Sequence, residues 1–183
     1  MLFRVEMSKD DRAALANAAG CLVVVNHPTL IDVVVLIALL PDATSIAKLA
    51  AGRNPFYSRI VEGAFILRED AEAALERASA ALAEGTSVIV FPEGTRTPTE
   101  GETVFRRGAA RIAVEAQVRA LCVRIDPEPR MLAKGQPWWD VGDRTIRYKV
   151  SVVGDFPPPG DTASARAASV DLTERFRRSL FCA

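Results

Sequence analysis

The sequence predicts an α/β fold, read as one domain over residues 1–183, with a largely parallel or mixed β-sheet flanked by helices. Three observations predict it. Continuous apolar runs such as Cys21-Leu-Val-Val-Val25 and Ser87-Val-Ile-Val-Phe91 read as strands buried on both faces. These runs alternate with stretches of helical composition through most of the chain, as when helices pack on a parallel sheet. With 183 residues, 49% of them hydrophobic, the chain is large and apolar enough for one core, and it shows no internal repeat or second domain boundary.

Taken in order, Leu2 to Glu6 reads as a short first strand and residues 8–19, polar and Ala-rich, as a spacer of helical character. Cys21 to Val25 is a strand, broken by Asn26-His-Pro-Thr29. Leu30 to Leu40 reads as a buried helix ended by Pro41-Asp42, although its valines would equally suit a strand. Thr44 to Leu49 is a strand. Asn54-Pro55 starts a helix, with Asn as N-cap and Pro at the first helical position, and Gly63 stops it. Ala64 to Leu67 is a strand, and Glu69 to Glu84 an Ala-rich surface helix ended by Gly85. After the strand at 87–91, Pro92 to Arg107 is a loop rich in Gly, Thr, Pro and charge. Gly108 to Gln117 is a helix, Ala120 to Ile125 a strand, and Pro127 to Pro137 irregular. Arg144 to Val153 alternates polar and apolar, as an edge-type strand facing water on one side does. A Pro/Gly-rich linker, 154–160, leads to a terminal helix near 164–181, where Leu172, Phe176 and Leu180 recur every four residues.

Composition narrows the function. Lys plus Arg equals Asp plus Glu at 23 each, so charge makes no general case for nucleic acid. The three cysteines, Cys21, Cys122 and Cys182, lack metal-ligand spacing. Their odd number and the lack of a signal sequence argue for reduced thiols in a cytosolic setting, with Cys21 and Cys122 in the core. The most apolar segment, Leu30 to Leu40, contains Asp32 and falls well short of the roughly 20 apolar residues that span a bilayer, so membrane contact is expected to be peripheral.

Two segments, each after a buried strand, carry candidate chemistry: Asn26-His27-Pro28-Thr29-Leu30-Ile31-Asp32 and Phe91-Pro92-Glu93-Gly94-Thr95-Arg96-Thr97. Ligands of open α/β sheets collect at the carboxyl ends of parallel strands. His27 is the only histidine, and an imidazole suits general-base work near neutral pH. Residues five apart lie about 140° apart around a helix. His27 and Asp32 therefore meet only if the chain turns at Pro28 and the helix begins between them; Asp32 would then accept from Nδ1–H and leave Nε2 free. The plainer reading is a loop histidine that caps a helix. In the second segment Gly94 permits close backbone approach, Thr95 offers a hydroxyl and an N–H, and Arg96 can fork onto a phosphate. Glu93 would hold Arg96 or accept from a substrate hydroxyl. The plainer reading there is a turn with a surface ion pair.

The two segments together resemble the glycerolipid acyltransferases of the lysophosphatidic acid (1-acylglycerol-3-phosphate) acyltransferase type. His27 through Asp32 is similar to their H-x-x-x-x-D motif, and Phe91 through Thr97 to their F-P-E-G-T-R-[ST] motif. Between them, Gly63-Ala-Phe65-Ile66-Leu-Arg68 resembles G-x-[FI]-[FI]-x-R. The resemblance covers about residues 20 to 153. It implies that His27 is the base and Asp32 its orienter. It also implies that Glu93, Gly94, Thr95 and Arg96 hold the acceptor's glycerophosphate, with help from Arg68. The implied reaction moves a fatty acyl group from acyl-CoA or acyl carrier protein to the free hydroxyl of a lysophospholipid, in phospholipid biosynthesis. No metal and no cofactor beyond the thioester co-substrate are implied. The expected place is the cytoplasm, at the inner face of the cytoplasmic membrane.

The sequence departs from that pattern at Cys122, which stands where many members have the proline of a proline-valine pair, and residues 1–19 hold no apolar extension like the one that anchors many members. Alternative readings are a specialised lipid or other hydroxylated acceptor, a catalytically inactive lipid-binding module, and a phosphohydrolase acting through His27 and Asp32. Further candidates for anion or membrane contact are Lys48, the cluster Arg106, Arg107 and Arg111, and Trp138-Trp139 with Lys134, Arg144 and Arg147 around it.

Overall fold

The computed structural model describes residues 3–48, 65–68, 70–98, 103–131, 133, 136, 145–160 and 164–182. Its strands are β1 (Phe3–Glu6), β2 (Leu22–Val25), β3 (Ala43–Lys48), β4 (Phe65–Arg68), β5 (Ser87–Val90), β6 (Ala120–Glu128) and β7 (Ile146–Phe156). They form one sheet in the order β1-β7-β6-β2-β5-β3-β4. The five strands from β6 to β4 are parallel; β7 runs antiparallel to β6 and carries β1 parallel to itself. The described helices are α1 (Lys9–Ala16), α2 (Asp32–Leu39), α3 (Ala71–Ala83), α4 (Gly108–Ala116) and α5 (Ala165–Phe181).

Burial on both faces explains the unbroken apolar runs. Successive side chains of a strand point to opposite faces. Leu22, Val24, Val88, Val90 and Cys122 pack beneath α3, α4 and α5. Val23, Val25, Ile89, Leu121 and Val123 pack on the other face with Leu15 of α1 and Leu36 of α2. Local signals place the helix starts: Ser8, Asp70 and Ser164 each accept a backbone N–H of the first turn they precede. The helix at 32–39, rather than a strand, follows from the need to return from the end of β2 to the parallel strand β3.

Three expectations are corrected. The strand expected to end at Ile125 runs on to Glu128, because β7 pairs with it residue for residue from Ile125 to Glu128. Pro127 is tolerated there. Ile125 N–H points to the β2 side, where it reaches Asn26, so the nitrogen of Pro127, two residues on, faces away from β7 and interrupts no ladder bond. The strand read as edge-type is interior, covered by β1 on its outer side, although its one-sided wetting holds: Ile146, Tyr148 and Val150 are buried while Arg147 and Lys149 are exposed. Finally, residues 154–156 belong to β7 and not to the linker. Gly154 lies opposite Cys122 beside a bulge, and a Cβ there would come within 3.3 Å of Cys122 Cβ and 2.7 Å of the Phe156 ring. The expected helix start at Asn54-Pro55, its stop at Gly63 and the Trp138-Trp139 pair lie outside the described residues.

The terminal helix closes the first layer. Leu172, Phe176 and Leu180 are buried in it, and Phe176 meets Phe156 edge-on at 5.1 Å. Phe176→Ala should therefore cost about 3–5 kcal/mol, read as a lower urea midpoint with little change in the slope of the transition.

Candidate active site

The loops after β2 and β5 lie side by side because the two strands are adjacent and parallel, with Val24 opposite Val90. Where the chain leaves β2, Asn26 extends the ladder with its side chain: Nδ2 donates to Ile125 O at 2.9 Å, and Ile125 N–H donates to Oδ1 at 2.8 Å. The next residue, His27, is held at both ends of its backbone by the second loop. Its carbonyl accepts Thr97 N–H at 2.6 Å. Its N–H is shared between Glu93 Oε1 at 3.1 Å and Thr97 Oγ1 at 3.0 Å. The His27 ring stacks on Phe91 with centroids 4.2 Å apart.

The chain then turns through Pro28 to Ile31, and α2 begins at Asp32. That turn brings Asp32 Oδ2 to 2.9 Å from His27 Nδ1. The Asp32 side chain has no solvent exposure, whereas the His27 side chain keeps 19%. Thr29 N–H donates to Asp32 Oδ2 at 2.7 Å and Thr29 Oγ1 to Oδ1 at 2.5 Å, so both carboxylate oxygens are satisfied. The first turn of a helix adds a favourable field for this charge. A buried carboxylate accepts and does not donate, so the proton of a neutral His27 sits on Nδ1 and leaves Nε2 bare.

In the second loop Gly94 adopts φ +63, in the left-handed region, and the Arg106 side chain lies against it, its Nε 3.3 Å from where a Cβ would stand. Thr95 is exposed. Arg96 Nη1 donates to Ala133 O at 2.8 Å. Arg130 reaches into the same loop, donating to the carbonyls of Thr97 and Pro98. Glu93 is 3% exposed. Its Oε1 accepts from His27 N–H and Thr97 Oγ1 rather than from Arg96, while Oε2 is buried without a hydrogen bond among the described residues. Burial pushes the Glu93 carboxyl above its ordinary value, against the pull of the Thr97 and His27 bonds. The amides of His27 and Thr29, the two that flank Pro28, are both spent inside the site and are not oxyanion donors.

Of the residues singled out in the sequence, His27, Glu93, Gly94, Thr95 and Arg96 stand on these two loops and Asp32 on the first residue of α2 that follows one of them. Arg68 ends β4 at the same sheet edge, two strands from β5; its side chain lies outside the described residues, as does that of Lys48. The basic cluster divides. Arg111 pairs with Glu72 and Glu115, Arg107 precedes α4, and Arg106 alone turns to the Gly94 loop. Cys122 faces the helical layer, with burial pushing its thiol up to about 12. Sequence reasoning missed Thr29, Thr97, Arg130 and Tyr148. Thr29 and Thr97 lie inside the motifs and were legible as hydroxyls. Arg130, 33 residues beyond Thr97, and Tyr148, 119 residues beyond Thr29, come from other segments and carry no local signal.

Known proteins resemble this chain in sequence and in fold. A family model described as Acyltransferase matches residues 5–126. Human 1-acyl-sn-glycerol-3-phosphate acyltransferase beta is 27% identical over 179 residues, 93% of this chain and 63% of that protein. A probable 1-acyl-sn-glycerol-3-phosphate acyltransferase of Mycoplasma pneumoniae is 29% identical over 153 residues, 74% of this chain and 56% of its own length. The chain thus spans 56–63% of these two relatives. The crystal structure of the 1-acyl-sn-glycerophosphate (LPA) acyltransferase PlsC from Thermotoga maritima shares the fold, with a TM-score of 0.64 at 22% identity over 97% of this chain and 71% of that one.

Glu93 carries a pH signature. Its native value lies above the ordinary 4.5, so its contribution to stability is complete below that value and is lost as pH rises through the native one. Glu93→Gln keeps a carbonyl acceptor for His27 and Thr97 but cannot ionise. Whatever its constant cost, the variant should gain on the wild type between pH about 4 and about 7, measured by denaturant unfolding at both.

Proposed function

The chain belongs to the acyltransferase family, and from that premise we propose that it transfers a fatty acyl group from a thioester to the free hydroxyl of a lysophospholipid such as 1-acylglycerol-3-phosphate. The observation that carries the reading is the pair His27 Nδ1–Asp32 Oδ2 at 2.9 Å, on a residue whose backbone is tied to the Glu93–Thr97 loop. Relatives named as 1-acyl-sn-glycerol-3-phosphate acyltransferases support the choice of acceptor.

In this reading the acceptor hydroxyl gives its proton to His27 Nε2 as its oxygen attacks the thioester carbonyl. The imidazolium forms against the buried Asp32 carboxylate, which already faces Nδ1–H. The tetrahedral intermediate collapses with loss of the thiolate, which takes the proton back from Nε2 and leaves as free thiol. A thioester is activated enough that no protein nucleophile is needed. The glycerophosphate sits at the Gly94 turn, where Arg96 and Arg106 supply positive charge, with Arg68 at the end of β4 on the same sheet edge. Glu93 is a tie that holds the backbone of His27. Fixing the phosphate aims the hydroxyl at the base, converting a collision into an oriented reaction.

A lipid acceptor also requires contact with a lipid surface. Among the described residues no helix is long and apolar enough to cross a membrane. The helix that starts at Asp32 is apolar on every side beyond that residue and leaves Val34 57% exposed, which supports peripheral contact beside the site.

Thiol release with lysophosphatidic acid, comparing acyl-coenzyme A with acyl carrier protein thioesters, tests the reaction and chooses the donor. His27→Ala should lower kcat by at least about 10²-fold while the far-UV dichroism is unchanged; a near-normal rate ends the mechanism. Thiol release without any acceptor, or release of inorganic phosphate, would indicate hydrolysis instead. Arg96→Ala should raise the acceptor's KM more than it lowers kcat; a change confined to the donor's KM would move the phosphate elsewhere.

A further inference from the structure

Among the described residues Tyr148 is the largest fully buried side chain, yet its hydroxyl bonds into the site. It rises from β7, two strands away from β2, and its Oη lies 2.9 Å from Thr29 Oγ1. Among the described residues this is the phenol's one hydrogen bond. The direction of that bond follows from chemistry. Thr29 has a single hydroxyl proton and gives it to Asp32 Oδ1 at 2.5 Å. Tyr148 must then donate to Thr29. The result is a one-way chain: Tyr148 Oη–H to Thr29 Oγ1, Thr29 Oγ1–H to Asp32 Oδ1, with His27 Nδ1–H donating to Asp32 Oδ2 at 2.9 Å from the other side.

We propose that Tyr148 and Thr29 are positioning residues that, through Asp32, set the strength and orientation of the hydrogen bond holding His27. A carboxylate with no solvent exposure takes its rotamer and its charge distribution from its donors, and chains of hydrogen bonds polarise one another in such surroundings. Burial also keeps the phenol protonated, pushing it up to about 12, so the chain keeps its direction across the working range of an imidazole base. A tyrosine that merely filled the core would give the same packing as phenylalanine. Its ring contact with Phe3, at a centroid distance of 5.9 Å, does not involve the hydroxyl. The catalytic consequence rests on the reading of His27 as base; the hydrogen-bond chain itself does not.

His27 is the only histidine, so ¹⁵N-histidine labelling gives one ring spectrum with no assignment problem. Tyr148→Phe and Thr29→Val should both move the Nδ1–H resonance of His27. Phe3→Leu, which disturbs the Tyr148 ring but no hydroxyl, should leave it in place, and Thr29→Ser should restore it. With the preferred donor and acceptor, Tyr148→Phe should lower kcat about 3- to 10-fold, the range of one hydrogen bond, at unchanged KM, and the effect should vanish in an Asp32→Ala background. A resonance unmoved by Tyr148→Phe overturns the proposal, as does a kcat loss that persists without Asp32, because packing would then explain it. If the resonance moves while the wild type transfers no acyl group to any acceptor tried, the relay stands and the acyltransferase reading falls.

Discussion

A carboxylate removed from water must be met by donors, and Asp32 is met on both oxygens by three: His27 Nδ1–H, Thr29 N–H and the Thr29 hydroxyl. Much of the local architecture follows from that need. The chain must double back between residues 27 and 32, which Pro28 permits and which delays the start of α2 until Asp32 itself. The same turn fixes which nitrogen of His27 carries the proton. It also presses Thr29 against the face of β7, where Tyr148 completes the set. Unpaired, a charge in this position would be costly enough to neutralise itself or unfold the turn.

The second organising constraint is the parallel pairing of β2 with β5. It delivers both motif loops to one edge, and the loops are then joined by backbone bonds rather than by side-chain packing alone. Thr97 pairs with both ends of the His27 peptide units, and Asn26 carries the β2–β6 ladder one rung past the end of the strand. Arg130 fixes the carbonyls of Thr97 and Pro98 from the far side of the loop. His27 supported in this way is aimed by the sheet, while the residues left facing solvent, Thr95 and Arg106, are those with room to meet a ligand.

Most of the fold was legible in the sequence because burial on both faces writes itself as uninterrupted β-branched runs, and because Gly85 marks a helix end with local chemistry. The misjudged elements share one cause. Gly154 and Pro127 carry strong local signals for linker and irregular chain, yet both lie in strands, since one needs to be small where β7 passes Cys122 and the other has its nitrogen turned away from the ladder. Those reasons exist only between strands and leave no mark on neighbouring residues.

The sequence by itself determined the two motif loops, the sole histidine and the carboxylate five residues beyond it, because short-range spacing and strand patterning are local properties. Only the tertiary structure decided how those residues are used. It turned Glu93 inward to hold the His27 backbone, separated Arg106 from Arg111, and brought Tyr148 and Arg130 to the site from other segments of the chain. Such contacts arise from the order in which strands assemble, and strand order is a property of the whole sheet that no window of sequence contains.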